Sequence, residues 1–252
     1  MGRNIKLTIA YDGTDFCGWQ RQENDRTVQG VIEQALEKMH GSYVNLTGAG
    51  RTDAGVHATG QAANFYTDID SIQAGSFAPA LNALLPHDVR ILDACEKDNN
   101  FHARFSASSR TYRYYFIYNS IANSAVLPHE RLYNLRLFQF PRVDILNAYG
   151  RLLLGETNCT IFSAAGDASS SKRRYIYRSF FFVEGNRLIF EICANAFLRK
   201  MVRSITGTFL HYEKNGVTPE KLREIIASGN RSLAGPTLPP HGLFLWKVEY
   251  DS

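Results

Sequence analysis

The spacing of apolar residues follows two periods along the chain, and each period predicts one type of element. Ile5, Leu7, Ile9 and Tyr11 alternate with polar or small residues, which predicts a half-buried strand. After Thr27, a residue type that caps helices, apolar residues recur every three or four positions, as one helix face requires. They are Val28, Val31, Ile32, Ala35, Leu36 and Met39. The chain is therefore predicted to open with a strand and a capped helix.

The remaining chain continues to alternate between strand and helix patterns. Further strands are predicted at 89–94, 112–118, 175–183, 188–192 and Leu243–Tyr250. Helices are predicted at 76–85, capped by Ser76, at 143–154, at 196–211 and after Thr218-Pro219-Glu220. This mixture indicates an α+β protein. The order of elements repeats in outline, so we expect two packed halves, 1–106 and 107–252, with a cleft between them.

Composition is that of a globular protein, and the distribution of positive charge is more informative than its total. The 252 residues are 44% hydrophobic and 21% charged, with a formal net charge of +4. Lysines and arginines cluster in three places: at 104–113, at 172–178 and at 199–203. Local basic patches favour a polyanionic partner such as nucleic acid, although any single cluster could be an ordinary solvated surface.

Cysteine spacing and hydropathy bear on the compartment. The four cysteines are far apart and form no Cys-x-x-Cys pair, which disfavours a zinc ribbon or disulfide framework and fits unpaired thiols in a reducing compartment. Residues 1–6 lack an apolar signal core, and no window approaches the ~18 apolar residues that a membrane span needs. We therefore expect a cytoplasmic protein that does not enter a membrane.

The strongest candidate for chemistry is a glycine-rich loop at 50–58, in which Asp53 follows Arg51 by two positions. Glycines allow such a loop to present a carboxylate closely into a cleft. The alternative is a turn aspartate that caps backbone amides, the commonest role of Asp in such loops. The loop completes neither of the two glycine motifs that bind phosphate, so the signal for a phosphate-binding loop is weak. Asp53 and His57 have no further metal ligands near them in the sequence, so a metal site is not expected.

Three further side chains have both a functional and a purely structural interpretation. Tyr112 lies on a strand of interleaved aromatic and arginine residues, which suits base stacking and phosphate pairing but equally a core strand. Arg203 shares the polar face of the predicted 196–211 helix with Arg199 and Thr206, where it could reach a carboxylate or face solvent. Leu245 in the last strand is either core packing or a pocket wall.

Taken together, these segments resemble the TruA-type tRNA pseudouridine synthases in order and spacing over nearly the whole chain. The matching segments lie at 11–20, 27–29, 50–58, 81–86, 101–107, 110–114, 195–203 and 242–245. The octet Arg-Thr-Asp-Ala-Gly-Val-His-Ala at 51–58 and the Met-Val-Arg triplet at 201–203 are the most specific of them.

The resemblance implies a fold, a reaction and a role for each residue. Asp53 resembles the catalytic aspartate, Tyr112 the tyrosine that stacks on the target uracil, and Arg203 the basic residue that pairs with the aspartate. Arg51 resembles the arginine that holds the flipped nucleotide, and Leu245 an apolar residue that lines the pocket. The family isomerises uridine to pseudouridine at positions 38, 39 and 40 of the tRNA anticodon stem-loop, without a cofactor and as a homodimer. Its fold is an antiparallel sheet across two ferredoxin- or RRM-like halves, with helices on one side.

Two other functions compete with this interpretation. The aromatic and basic strand would also suit a non-catalytic RNA-binding module, although binding alone needs no carboxylate facing RNA. A nucleotide-binding enzyme could use the loop between Gly48 and Gly60, but its phosphate motif is incomplete.

Overall fold

The computed structural model describes residues 2–118, 127–167 and 169–251. Its chain divides into two compact units: unit 1 comprises Met1–Ser108 with Phe244–Ser252, and unit 2 comprises Ser109–Leu243. Both units contain helices and mostly antiparallel strands, so the predicted α+β class is confirmed. The final strand lies with the first unit, whereas the predicted division at 106/107 placed it with the second.

The described residues form ten strands and five α-helices. The strands are β1 Arg3–Tyr11, β2 Thr47–Gly48, β3 His57–Thr67, β4 Val89–Lys97, β5 Ala107–Tyr118, β6 Leu135–Leu137, β7 Gly155–Asn158, β8 Arg173–Glu184, β9 Arg187–Ala194 and β10 Leu243–Tyr250. The helices are α1 Val28–His40, α2 Phe77–Asn82, α3 Val143–Arg151, α4 Met201–Lys214 and α5 Pro219–Ala227. None of the helices in this part of the chain is long and apolar enough to cross a lipid bilayer.

Unit 1 is a sheet in the order β4-β1-β3-β10, with β2 added to β3. β1 runs antiparallel to both β3 and β4, while β10 runs parallel to β3. Ile5, Leu7 and Ile9 are fully buried, as their predicted alternation requires. Phe65 lies opposite Ile5 and packs edge-on against Phe77 of α2, with ring centroids 5.5 Å apart. The core of this unit therefore lies between the sheet and its helices.

Unit 2 contains an antiparallel sheet in the order β5-β9-β8-β7, with β6 parallel to β5. β8 and β9 form an antiparallel hairpin that turns at Gly185, which has a φ of 60°. Phe209 of α4 packs against Phe190 and Phe181 on one sheet face and against Tyr149 of α3. An aromatic cluster therefore joins sheet and helices within this unit.

Helix α4 begins five residues later than its apolar stripe predicts. The stripe includes Phe197 and Leu198, yet α4 starts at Met201, directly after Lys200 with a φ of 60°. A left-handed residue cannot continue a right-handed helix. The preceding segment is instead tied to other parts of unit 2, since the Asn195 N–H bonds the Tyr175 carbonyl and the Ala164 N–H bonds the Arg199 carbonyl.

Helix caps follow the predicted chemistry in two of three cases. The hydroxyls of Thr27 and Thr218 accept N–H bonds at the starts of α1 and α5. The Ser76 hydroxyl makes no cap bond to α2, because Ser76 itself has helical dihedral angles and ends a short 3₁₀ turn. The predicted cap at Ser76 is therefore wrong, and α2 and α3 also end three residues before their predicted ends at 85 and 154.

Candidate active site

The glycine-rich loop lies between β2 and β3, and its backbone is fixed by the segment that follows β1. The Trp19 N–H donates to the Thr52 carbonyl at 3.1 Å, and the Gly55 N–H donates to the Phe16 carbonyl at 3.2 Å. The Tyr11 hydroxyl meets the Thr52 hydroxyl at 2.8 Å in a buried position. Within the loop, the Val56 N–H bonds the Asp53 carbonyl at 3.2 Å. The backbone on both sides of Asp53 is thus held in place.

Two glycines allow the segment after β1 to approach the loop this closely. A side chain at Gly13 would place its Cβ 2.0 Å from the Val56 carbonyl oxygen. Gly18 has a φ of 93°, and its Cβ would lie 2.6 Å from the Thr52 carbonyl oxygen. Both distances are far below van der Waals contact, so the segment at 11–20 can support the loop only because glycine stands at both positions.

Burial varies from residue to residue along the loop, and Asp53 lies between buried anchors on both sides. Thr52 and Val56 are buried, Asp53 is half-buried, and Arg51 and Ala54 are exposed. Anchored neighbours on each side present the Asp53 carboxylate from a fixed backbone, which is the arrangement that a positioned nucleophile or base requires.

His57 is a supporting residue that the sequence identified only as a poor metal ligand. Its side chain is completely buried, and its Nδ1 accepts the Gly13 N–H at 3.0 Å. Asp12 Oδ1 lies 3.1 Å from the same nitrogen, and the ring stacks on Phe244 with centroids 4.6 Å apart. The sequence does not show that His57 contacts Asp12 and Gly13, because these residues are more than forty positions apart. Pairing of β1 with β3 brings them together.

Leu245 lies beside the start of β3. In the parallel pair of β10 and β3, Phe244 stands opposite His57 and Leu245 opposite Ala58. The Leu245 side chain is fully buried. Within unit 1, Leu245 is therefore adjacent to the strand that begins four residues after Asp53, in the interior position expected of core packing or of a pocket wall.

Tyr112 lies in unit 2, on β5 opposite Ile192 of β9. It is only 7% exposed. Its ring meets the Phe197 ring edge-on, with centroids 4.9 Å apart and planes at 76°. The segment before α4, which the sequence assigned to a helix, thus supports the Tyr112 ring instead.

Arg203 lies in the first turn of α4, and its Nε donates to the Leu238 carbonyl at 2.7 Å. The predicted polar face shared with Arg199 and Thr206 is wrong, because Arg199 precedes the helix and Thr206 is fully buried. Burial raises the pKa of Tyr114 well above its usual range, and the Arg203 charge opposes that rise. Arg203 is therefore a fixed cation of partly buried surroundings and no ordinary solvent-facing side chain.

The candidate residues divide between the units. Arg51, Asp53 and Leu245 belong to unit 1, and Tyr112 and Arg203 to unit 2. The structure brings Asp53 and Leu245 to neighbouring elements. The pairing of Arg203 with Asp53 stays a prediction.

Comparison with known protein families and with individual relatives points to the same family. A family model described as tRNA pseudouridine synthase matches residues 7–106 and 150–251. The matched ranges contain Arg51, Asp53, Arg203 and Leu245, while Tyr112 falls between them.

Three relatives named tRNA pseudouridine synthase A align with almost the full chain. The protein of Treponema denticola is 51% identical over 98% of this chain and 93% of its own length. That of Treponema pallidum is 48% identical over 95% of this chain and 85% of its own length. That of Caldicellulosiruptor saccharolyticus is 43% identical over 98% of this chain and its whole length.

Proposed function

We propose that Asp53 is the catalytic carboxylate of this protein and that the protein modifies uridines 38, 39 and 40 of the tRNA anticodon stem-loop. The chain belongs to the tRNA pseudouridine synthase family. As a member of this family it is an isomerase that converts uridine in tRNA to pseudouridine. The finer assignment rests on the geometry around Asp53 and on the motif order along the chain.

The reaction needs a carboxylate and a correctly oriented uracil. It involves no oxidation or reduction. The N1–C1′ bond of uridine breaks, the uracil turns, C5 bonds to C1′, the proton on C5 leaves, and N1 takes up a proton. Atoms and electrons balance within the nucleotide and one proton transfer, so the proposed reaction uses no cofactor. Asp53 either attacks C1′ or takes the C2′ proton to give a glycal, and both routes use the same carboxylate.

The observation that carries the proposal is the anchored backbone on both sides of Asp53. The bonds at Thr52 and Gly55 fix the loop, while Asp53 itself stays half-exposed. A turn aspartate with a purely structural role would need no such support from a second segment. A reacting carboxylate does, because a misplacement of about 1 Å can cost about 10²-fold in rate.

The other site residues receive roles that fit their surroundings. We assign Tyr112, whose ring is supported by Phe197, to stacking on the target uracil. Arg203, with its Nε held by Leu238, is assigned to orienting the Asp53 carboxylate. Arg51 is exposed on the loop and is assigned to the flipped nucleotide, and buried Leu245 to the pocket wall. We also propose a cytoplasmic homodimer, as the resemblance implies, for which light scattering after gel filtration would report twice the chain mass.

The test is incubation of the purified protein with an unmodified tRNA transcript, without added cofactor or metal. Pseudouridine is mapped by carbodiimide-dependent reverse-transcription stops. Wild type is expected to give stops within positions 38–40, and Asp53→Asn to slow their appearance by about 10³-fold or more.

Asp15→Asn is the matched control, because Asp15 is an exposed carboxylate in the supporting segment. It should retain wild-type turnover. Near-normal turnover by Asp53→Asn would refute the assignment of Asp53. Binding of tRNA by wild type with no product anywhere in the tRNA would instead favour an RNA-binding module.

A further inference from the structure

The short segment before β5 carries an exposed aromatic ring on a backbone held by hydrogen bonds. Phe105 is 77% exposed, although it lies between buried Ala103 and the strand at Ala107. A ligand that covered this ring would remove its apolar surface from water, which favours binding.

Every backbone N–H from His102 to Ser106 donates to a fixed acceptor within unit 1. The N–H groups of Arg104 and Phe105 both donate to His102 Nδ1, at 3.1 and 3.3 Å. The His102 N–H donates to the Ser106 hydroxyl at 3.0 Å, and the Ser106 N–H returns to the His102 carbonyl at 2.9 Å. The segment is therefore a closed, internally bonded loop.

Ala103 anchors this loop in the interior. It is fully buried, and its N–H donates to Asn64 Oδ1 at 2.9 Å. Its carbonyl accepts the Tyr250 hydroxyl at 2.9 Å. Asn64 in turn bonds Asn4, which also reaches the Phe101 carbonyl. A buried network thus holds the loop to the sheet and leaves the Phe105 ring fixed outside.

The groups around the ring are those that recognise a nucleobase. The His102 ring lies 4.4 Å from the Phe105 ring, centroid to centroid. The Arg104 guanidinium lies 5.5 Å from the centre of the Phe105 ring. Aromatic faces stack on unpaired bases, and a neighbouring guanidinium adds stacking and phosphate attraction.

We propose that Phe105, with His102 and Arg104, is a stacking platform for one unpaired base of the RNA substrate. This inference rests on the proposed function for its ligand, because the RNA is the tRNA on which the enzyme acts. A second copy of the chain fits the platform less well. The flanking side chains Arg104 and Ser106 are exposed and polar, whereas an interface between copies needs a broad patch with an apolar centre.

The experiment compares three substitutions by their Kd for the unmodified tRNA transcript. Phe105→Ala and Phe105→Leu remove the aromatic face and should each weaken binding by about tenfold, the effect of losing one stacked base. Phe105→Trp keeps an aromatic face and should stay within about threefold of wild type. Leu92→Ala is the matched control, since Leu92 is an exposed apolar residue of β4 in the same unit.

The dependence of Kd on salt separates stacking from charge. The slope of log Kd against log salt concentration should be unchanged in Phe105→Ala, because no phosphate contact is lost. A slope that falls by about one would overturn the stacking role, and so would a Kd for Phe105→Ala within twofold of wild type. Full binding by Phe105→Leu would show that an apolar contact suffices, which also overturns it.

Two further readouts keep the inference separate from its alternatives. Loss of the oligomeric mass of wild type in Phe105→Ala would assign the ring to an interface between copies and overturn the proposal. Pseudouridine formation by wild type, measured in parallel, tests the proposed function. If wild type forms product and Phe105→Ala binds normally, only the platform fails; if wild type forms no product in tRNA, the proposed function fails first.

Discussion

His57 joins two segments of unit 1 through a single ring nitrogen. Its Nδ1 accepts the Gly13 N–H, while the ring stacks on Phe244. The bond lies out of solvent, so an unmatched Gly13 N–H would bear the desolvation cost of a lone buried donor. His57 thus supports the backbone at Gly13, in the segment that holds the loop.

We expect His57→Leu to lower the free energy of unfolding by roughly 1–3 kcal/mol, because it leaves the Gly13 N–H without its acceptor. His57→Asn places an oxygen close to the position of Nδ1 and should recover part of the loss. Urea unfolding followed by circular dichroism measures both. His129→Leu, at an exposed histidine, serves as control and should change little; equal stability of His57→Leu and wild type would contradict the supporting role.

At the scale of elements, helix α4 shows where local pattern and tertiary contacts disagree. Phe197 and Leu198 continue the apolar spacing of the helix, so the sequence predicted a start at 196. The Asp167 carboxylate accepts the Arg199 N–H at 2.9 Å, and the Asn195 amide oxygen accepts the Tyr175 N–H at 3.0 Å. These partners lie far away in the chain, and a period of 3.6 residues carries no information about them.

Lys200 is expected to be a strained position because it adopts a φ of 60° with a full side chain. Lys200→Gly should raise the free energy of unfolding by about 0.5–1 kcal/mol, since glycine adopts this conformation without the Cβ penalty. Thermal unfolding gives the change as a higher Tm. The contrasting variant is Lys38→Gly within α1, where the same substitution should lower stability by about 1 kcal/mol. A lower Tm for Lys200→Gly would show that Lys200 makes a stabilising contact that outweighs the strain.

Strand predictions were uneven, because β5 begins at Ala107, five residues before its predicted start, and no strand was predicted over the full length of β3. In contrast, β1, β8, β9 and β10 all lie close to where the sequence patterns placed them. Strand alternation reflects burial on one face, which each strand shows in its own residues. The short strands β2, β6 and β7 were not predicted, because two to four residues are too few for a period.

At the scale of the whole molecule, stability in acid should depend on Asp167. Burial would raise the pKa of this carboxyl, but the Lys172 ammonium and the Arg199 and Ser169 N–H groups outweigh burial and hold it well below the usual range. Lys172 Nζ lies 2.5 Å from Asp167 Oδ1. A carboxyl with a lowered folded-state pKa stabilises the fold above its unfolded pKa of about 3.9, and this contribution is lost as the pH falls further.

Asp167→Asn is therefore expected to lower the free energy of unfolding by roughly 1–3 kcal/mol at pH 7. The difference from wild type should be constant between pH 7 and pH 5 and should shrink below about pH 4. Urea midpoints at several pH values measure it, with Asp144→Asn as a control at another carboxylate of unit 2. A difference that stays constant or widens at pH 3 would contradict the assigned sign.

The sequence predicts those parts of the candidate site whose residues are contiguous, and it does not predict contacts between residues far apart in the chain. The loop with Arg51 and Asp53 is contiguous, so its residues and their resemblance were readable in sequence. The support from Gly13, Gly18 and His57 was not, because it depends on which strands pair. Tyr112 was placed on its strand correctly, yet Phe197, its ring partner, was assigned to a helix.

Strand β10 closes unit 1 with residues that follow all of unit 2 in the chain. On the ribosome, the first unit therefore emerges without the strand that pairs with His57 and Ala58, and His57 has no Phe244 beneath it until synthesis reaches that point. The proposed catalytic loop acquires its last neighbour only when nearly the whole polypeptide has been made. A nascent or prematurely terminated chain consequently lacks the strand that lies beside the start of β3, four residues after the proposed catalytic carboxylate.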